Sequence, residues 1–188
     1  MLGANAVQTG TDWDTFSDGP VPTSPSWVES SQPALVFPSP IVDIAAGFKF
    51  TLALLEDGTV WSVGTNNPGQ LGDATNTARS SWAQIPNLSN AVQIAAGYST
   101  SYALLADGTV KSWGSSWAGQ LGDGTNTDRT TPGAVLDLTN VRQLVAGEHH
   151  AYAQRQDGAV YGWGWNQWGQ VGDGTKVNRN RPVQVANL

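Results

Sequence analysis

The chain has 188 residues, with nine Lys and Arg against fifteen Asp and Glu, for a net charge of −6. That length fits one ordinary domain or an array of small units, and an acidic surface with no Lys/Arg cluster excludes a nucleic-acid partner held through its phosphates. The absence of cysteine excludes disulfide scaffolds, zinc ribbons and thiol nucleophiles, and no run of eighteen apolar residues is present to insert into a membrane.

Residues 1–32 have their own texture, rich in Ser, Thr, Pro, Asp and Gly. Residues 1–10 carry neither the basic nor the apolar region of a secretory signal peptide. Trp13, Phe16 and Trp27 are the large anchors besides Leu2. The first reading of this segment is an arm that docks on a neighbour through its indoles. A degenerate half-blade and a solvated tail are the alternatives.

From residue 33 the chain repeats with a period of fifty. Ala-Ala-Gly ends at Gly47 and Gly97, and Val-Ala-Gly at Gly147. Asp57-Gly58, Asp107-Gly108 and Asp157-Gly158 keep the same step, as do Arg79, Arg129 and Arg179. Residues 47–96 and 97–146 agree at about 23 of 50 positions, which makes them copies, with 147–188 as the third. Residues 33–46 supply preceding strands.

Each copy predicts four short strands. The first lies at 41–45, 91–95 and 141–145. Leu52-Ala53-Leu54-Leu55, then Glu56-Asp57-Gly58, then Thr59-Val60-Trp61-Ser62-Val63 reads as a hairpin, because Asp-Gly adopts the positive φ of a tight turn between two β-favouring runs. A fourth strand is expected near Ile85, Val135 and Val185, just beyond Pro132 and Pro182, with Pro33-Ala34-Leu35-Val36 as one extra copy. Between third and fourth strands, Gly69-Gln70-Leu71-Gly72-Asp73 and its copies predict a loop in which Gly avoids a clash and Asp bonds the turn backbone. Four strands per fifty residues with no helical period is the pattern of an all-β propeller blade, a four-stranded antiparallel sheet.

The order Ala-Ala-Gly, strand, Asp-Gly-Thr-Val, aromatic-Gly, Gly-Gln-Leu-Gly-Asp-Gly-Thr, Arg and Pro-x-x-Val resembles the regulator of chromosome condensation repeat over roughly residues 33–188. That family forms seven-bladed propellers. Its members include a nuclear guanine-nucleotide exchange factor and bacterial β-lactamase inhibitors, so the resemblance implies a non-enzymatic scaffold that binds proteins through its loops. Exchange activity does not carry over, since three blades are too few and no matching catalytic element is visible. A three-blade arc leaves apolar faces and strand edges open at both ends, and closure by other chains, as a homo-oligomer or with other subunits, is the expectation.

The chemistry available is sparse. Glu148, His149 and His150 adjoin, and on an extended strand Glu148 and His150 would share a face that His149 leaves. Two ligands do not make a metal site, and the repeated Asp residues lack the clustered oxygens of a calcium loop. No nucleophile or phosphate-loop motif occurs, so neither a cofactor nor catalysis is expected. Trp61 and Val63, Lys111 and Trp113, and Tyr161 and Trp163 share strand faces, and Lys111 implies that the face is partly exposed. Trp117, Trp165 and Trp168 sit in loops beside Asn166 and Gln167, where the first copy has Asn66, Asn67 and Pro68. The scaffold therefore does not demand Trp there.

Two functions follow. The first is a structural or protein-interaction module within a multi-chain assembly; Met1, scarce Lys and Glu, and Ser/Thr/Asn/Gly richness favour a virion or cell-surface particle. The second is a lectin-like propeller whose loop indoles stack on a glycan.

Overall fold

The computed structural model describes residues 36–186 and two short N-terminal strand segments. Backbone contacts divide the chain after Phe37. In the first unit β1 (Ala6–Val7) pairs antiparallel with β2 (Val28–Glu29). Trp13, Phe16 and Trp27, and the expected extra strand at Pro33-Ala34-Leu35, lie outside the described residues.

The second unit, Pro38–Leu188, consists of three four-stranded antiparallel sheets, each a meander in sequence order. The first blade is β3 (Ile41–Gly47), β4 (Phe50–Leu55), β5 (Val60–Gly64) and β6 (Arg79–Gln84). The second is β7 (Ala91–Ala96), β8 (Thr100–Leu105), β9 (Val110–Gly114) and β10 (Arg129–Ala134). The third is β11 (Val141–Ala146), β12 (His150–Arg155), β13 (Val160–Gly164) and β14 (Arg179–Gln184). No helix occurs among the described residues, so none is long and apolar enough to cross a membrane.

The hairpin turn forms as the Asp-Gly pair predicts. Gly58 takes φ 78°, its N–H donates to Leu55 O at 2.9 Å, and the Asp57 carboxylate accepts from Thr59 N at 2.9 Å and Thr59 Oγ1 at 2.7 Å. Asp107 and Thr109 repeat both side-chain bonds. Ala159 has no hydroxyl, and Asp157 pairs instead with Arg155 at 3.2 Å.

The fourth strand begins earlier than expected. It starts at Arg79, Arg129 and Arg179 and stops before Ile85, Val135 and Val185, so Pro132 and Pro182 fall inside it. Proline fits there because this strand is the outer edge of its sheet and its register breaks, between Arg129 and Gly133 in the second blade.

The core lies between blades. One cluster joins the first blade to the second through Leu52, Leu54, Val60 and Leu71 on one side and Ile94 and Trp113 on the other. The next repeats it with Tyr102, Leu104 and Val110 against Leu144 and Trp163. Trp113 and Trp163 are fully buried, so the face they share with half-exposed Lys111 and Tyr161 is covered at the indole by the preceding blade. Trp113 Nε1 donates to Gln70 O and Trp163 Nε1 to Gln120 O, each at 2.9 Å. Gly72 and Gly122 make room for these rings: a Cβ on Gly72 would lie 2.8 Å from Trp113 Nε1.

Candidate functional site

Two loops from each blade meet at one end of the sheets. The turn between first and second strands carries Phe48-Lys49, Tyr98-Ser99 or Glu148-His149. The loop after the third strand is tied to it by Thr65 N to Lys49 O at 2.8 Å, Ser115 N to Ser99 O at 2.9 Å and Trp165 N to His149 O at 2.9 Å. Neighbouring blades are joined at the same level by Phe48 N to Tyr98 O at 3.0 Å and Tyr98 N to Glu148 O at 2.8 Å. These bonds fix the spacing of the aromatic side chains above them.

The result is a continuous ladder of rings across all three blades. Phe48 stacks on Tyr98 with centroids 4.3 Å apart and planes 13° apart. Tyr98 meets His149 at 5.4 Å, and His149 sits edge-on to Trp117 at 5.4 Å and to Trp165 at 5.8 Å. The two indoles lie 6.1 Å from each other. Offset and edge-to-face contacts of this kind each stabilise by about 1 kcal/mol. Phe48, Tyr98 and Trp117 remain 46%, 37% and 52% exposed, so the ladder is ordered yet open. Lys49 Nζ lies 4.9 Å over the Phe48 ring and Glu148 Oε1 3.6 Å from His149 Nε2, one charge of each sign at the edge. Beside the rings, the repeated Ala-Gly segments and the residues Phe48, Tyr98 and Glu148 line a shallow cleft of about 460 Å³.

The expected residues divide. Trp117 and Trp165 belong to the ladder; Trp168, 77% exposed, and Gln167, also exposed, stand outside it. Asn166 is fully buried. Its Nδ2 donates to Asp173 Oδ1 at 3.1 Å and Val177 O at 3.0 Å, and its Oδ1 accepts from Val171 N at 2.8 Å, so every polar atom serves the loop. Glu148 and His150 do not converge. Glu148-His149 forms a turn rather than extended strand, which pairs Glu148 with its neighbour, while His150 on β12 packs edge-on to Tyr152 at 5.6 Å. Burial and then the adjacent His149 lower the His150 pKa. Among the described residues no three His, Asp or Glu side chains gather around a metal-sized site. Phe48 and Tyr98 escaped the sequence reading, although one aromatic fifty residues from another, each directly after Ala-Ala-Gly, was the signal.

The pattern of the regulator of chromosome condensation (RCC1) repeat matches residues 57–104, 107–154 and 157–188, and a second pattern of the same repeat matches 41–70, 91–120 and 141–170. The chain belongs to the RCC1 repeat family. Among solved structures, human WBSCR16 is similar at 25% identity and TM-score 0.72, over 88% of this chain and 43% of its own. Prp20p from Saccharomyces cerevisiae, described with its binding properties to Gsp1p and histones, is similar at 26% identity and TM-score 0.66, over 82% of this chain and 41% of its own. The chain thus spans less than half of either protein. A search of curated proteins gave no match.

A repeated clamp holds the loop after the third strand of each blade. Asp73 Oδ1 accepts from Thr75 N at 3.0 Å and Thr75 Oγ1 at 2.7 Å, while its Oδ2 pairs with Arg79 at 3.0 Å. Burial pushes the Asp73 pKa up, but the Thr75 and Asn66 hydrogen bonds and the Arg79 charge outweigh it and leave the value lowered. Arg79 and Arg129 also donate to Ser62 Oγ at 2.8 Å and Ser112 O at 2.9 Å. Arg179 faces Gly162, where the first two blades carry Ser62 and Ser112, and turns its Nε to Asp173 at 2.6 Å. Trp117, Glu148, His149 and Trp165 are additions to this scaffold and are not repeated in the first blade.

Proposed function

We propose that this RCC1-repeat chain is a non-enzymatic protein-interaction module whose ring ladder is the contact surface for a partner, within an assembly of several chains. The ladder carries the reading: five packed rings, pre-ordered by backbone bonds and left open to solvent, form the kind of rigid aromatic surface on which binding energy concentrates. The composition argues for a virion or cell surface as the setting. A second reading, a glycan-binding propeller, draws on the same exposed indoles, since a flat ring stacks on a sugar face.

Replacing Trp117, Trp165 and Trp168 with Ala separates the two. Loss of retention on a panel of immobilised glycans at unchanged native mass supports the lectin. Loss of assembly in light scattering, with no glycan retention by the parent chain, supports the protein module. An unchanged native mass and no glycan retention by either chain would refute the ladder as a self-assembly surface and as a glycan site.

A further inference from the structure

Each blade docks on the next through a common set of backbone contacts, made twice within the chain. Ala91 N donates to Gly58 O and Val141 N to Gly108 O, each at 3.0 Å. Ala74 N donates to Thr130 O at 3.0 Å and Gly124 N to Asn180 O at 2.8 Å. At the second junction Gln93 also clips the backbone of Leu144 at two points, Nε2 to Leu144 O and Leu144 N to Oε1, both at 2.9 Å, where at the first junction Asp43 accepts from Ile94 N at 3.4 Å. The glycines admit the neighbour closely: a Cβ on Gly69 or Gly119 would lie 2.9 Å from Thr130 Cα or 2.4 Å from Asn180 Cα.

On the third blade the same groups meet no blade among the described residues. Gly158 and Gly174 have nothing within 4 Å of an added Cβ, and Gly169 only Thr175 O at 3.7 Å. Gln143, in the place of Gln93, is exposed. The first blade shows the opposite half of the junction. Ile44 is 62% exposed where Ile94 and Leu144 are 4% and 1%, and Ile41 is 41% exposed where Ala91 and Val141 are 5% and 4%. The two open ends are therefore the two halves of an interface already present twice.

We propose that the open face of the third blade takes the first blade of a second copy of this chain, in the register of the internal junctions. This deepens the assembly reading above and rests on it. Gly158 O then accepts from Ile41 N of the other copy, Gly174 N donates to Ser80 O, and the Gln143 amide clips the backbone of Ile44. Thr51, in the place of Ser101, keeps a hydroxyl for Gln170 O, as Ser101 Oγ serves Gln70 O at 2.7 Å. The one part missing is the indole: Val63 stands where Trp113 and Trp163 stand. It fills apolar space but has no N–H for Gln170 O, so this junction is weaker than the internal ones and reversible. Such a head-to-tail contact closes a ring or extends a filament. Two chains bring six blades, within the four to eight of closed propellers.

The test is sedimentation equilibrium of the full chain together with two kinds of variant. The unaltered chain should run at twice 19.8 kDa or a higher multiple and dissociate on dilution. Val63→Trp should tighten that association at least tenfold, and Gln143→Ala, a surface change, should weaken it by about tenfold. A monomer at all concentrations, in the unaltered and Val63→Trp chains alike, overturns the proposal and self-assembly with it. An oligomer that ignores both Val63→Trp and Gln143→Ala overturns this register while leaving the multi-chain reading intact.

Discussion

Replacing Trp163 with Val gives the third blade the residue that the first blade carries at the same place, Val63. Trp163 is fully buried, donates to Gln120 O at 2.9 Å and meets Tyr102 edge-on at 6.2 Å. Losing about 100 Å² of buried apolar surface costs about 2.5 kcal/mol at ~25 cal/mol per Å². The hydrogen bond and the aromatic contact add about 1 kcal/mol each. The expected loss is thus about 4.5 kcal/mol, or about 9–18 °C in the thermal midpoint for a chain of this size. It falls on a single junction, and in a stacked repeat array that junction term holds the third blade to the second. Urea unfolding followed by circular dichroism should therefore split into two transitions, the third blade leaving first. A loss below about 1 kcal/mol with one unbroken transition would refute the view that the indole couples the blades.

Three further outcomes follow from the loops and the clamp. Gly72→Ala should destabilise clearly more than Gly174→Ala in thermal melts: both glycines have positive φ, but the first methyl would strike Trp113 while the second meets open space. Ala74, at φ 65°, already occupies the conformation of Gly174, so that change should cost no more than about 1 kcal/mol. The Asp173 pKa, which burial raises but Thr175, Arg179 and Asn166 lower to about 2, lies below the ordinary 3.8. Its contribution to stability is complete above about pH 4 and is lost as the pH falls toward 2. Asp173→Asn should therefore flatten the acid limb of the melting-temperature profile. Arg129→Met removes the 3.2 Å ion pair to Asp123 and the bond to Ser112 O, and should cost about 2 kcal/mol by urea titration.

Much of the fold was legible because its determinants are local and recur every fifty residues. Asp57-Gly58 forces a turn wherever it stands between two β-favouring runs, and the Gly-Gln-Leu-Gly-Asp loop announces its own hydrogen bonds. The fourth strand was misplaced because its ends are set by sheet pairing, not by its residues: Pro132 looks like a boundary and is tolerated because the strand is outermost in its sheet and its register breaks between Arg129 and Gly133. Lys111 suggested an exposed face, but the face is covered at Trp113 and open at Lys111, a difference created by the preceding blade. The candidate site was half legible. Trp117 and Trp165 stood out as additions to the repeat, whereas Phe48, Tyr98 and His149 join them only through the distance between blades, which no residue reports alone. Asn166 looked available beside two indoles, yet its twin Asn66 makes the same bond to Leu71 N at 2.8 Å that Asn166 makes to Val171, marking both as loop structure.

The Trp113 and Trp163 bonds each reach back 43 positions, and the blade-to-blade backbone bonds of Ala74 and Gly124 each span 56. Every blade therefore closes loops of the same size, and the entropy of closure is the same for each addition. Folding of the arc should proceed at a rate set by one fifty-residue step rather than by the length of the array. A propeller made from one long chain must also bring its distant first and last blades together. A ring shared between copies, as proposed above, replaces that slow intramolecular search with an encounter whose rate is governed by concentration.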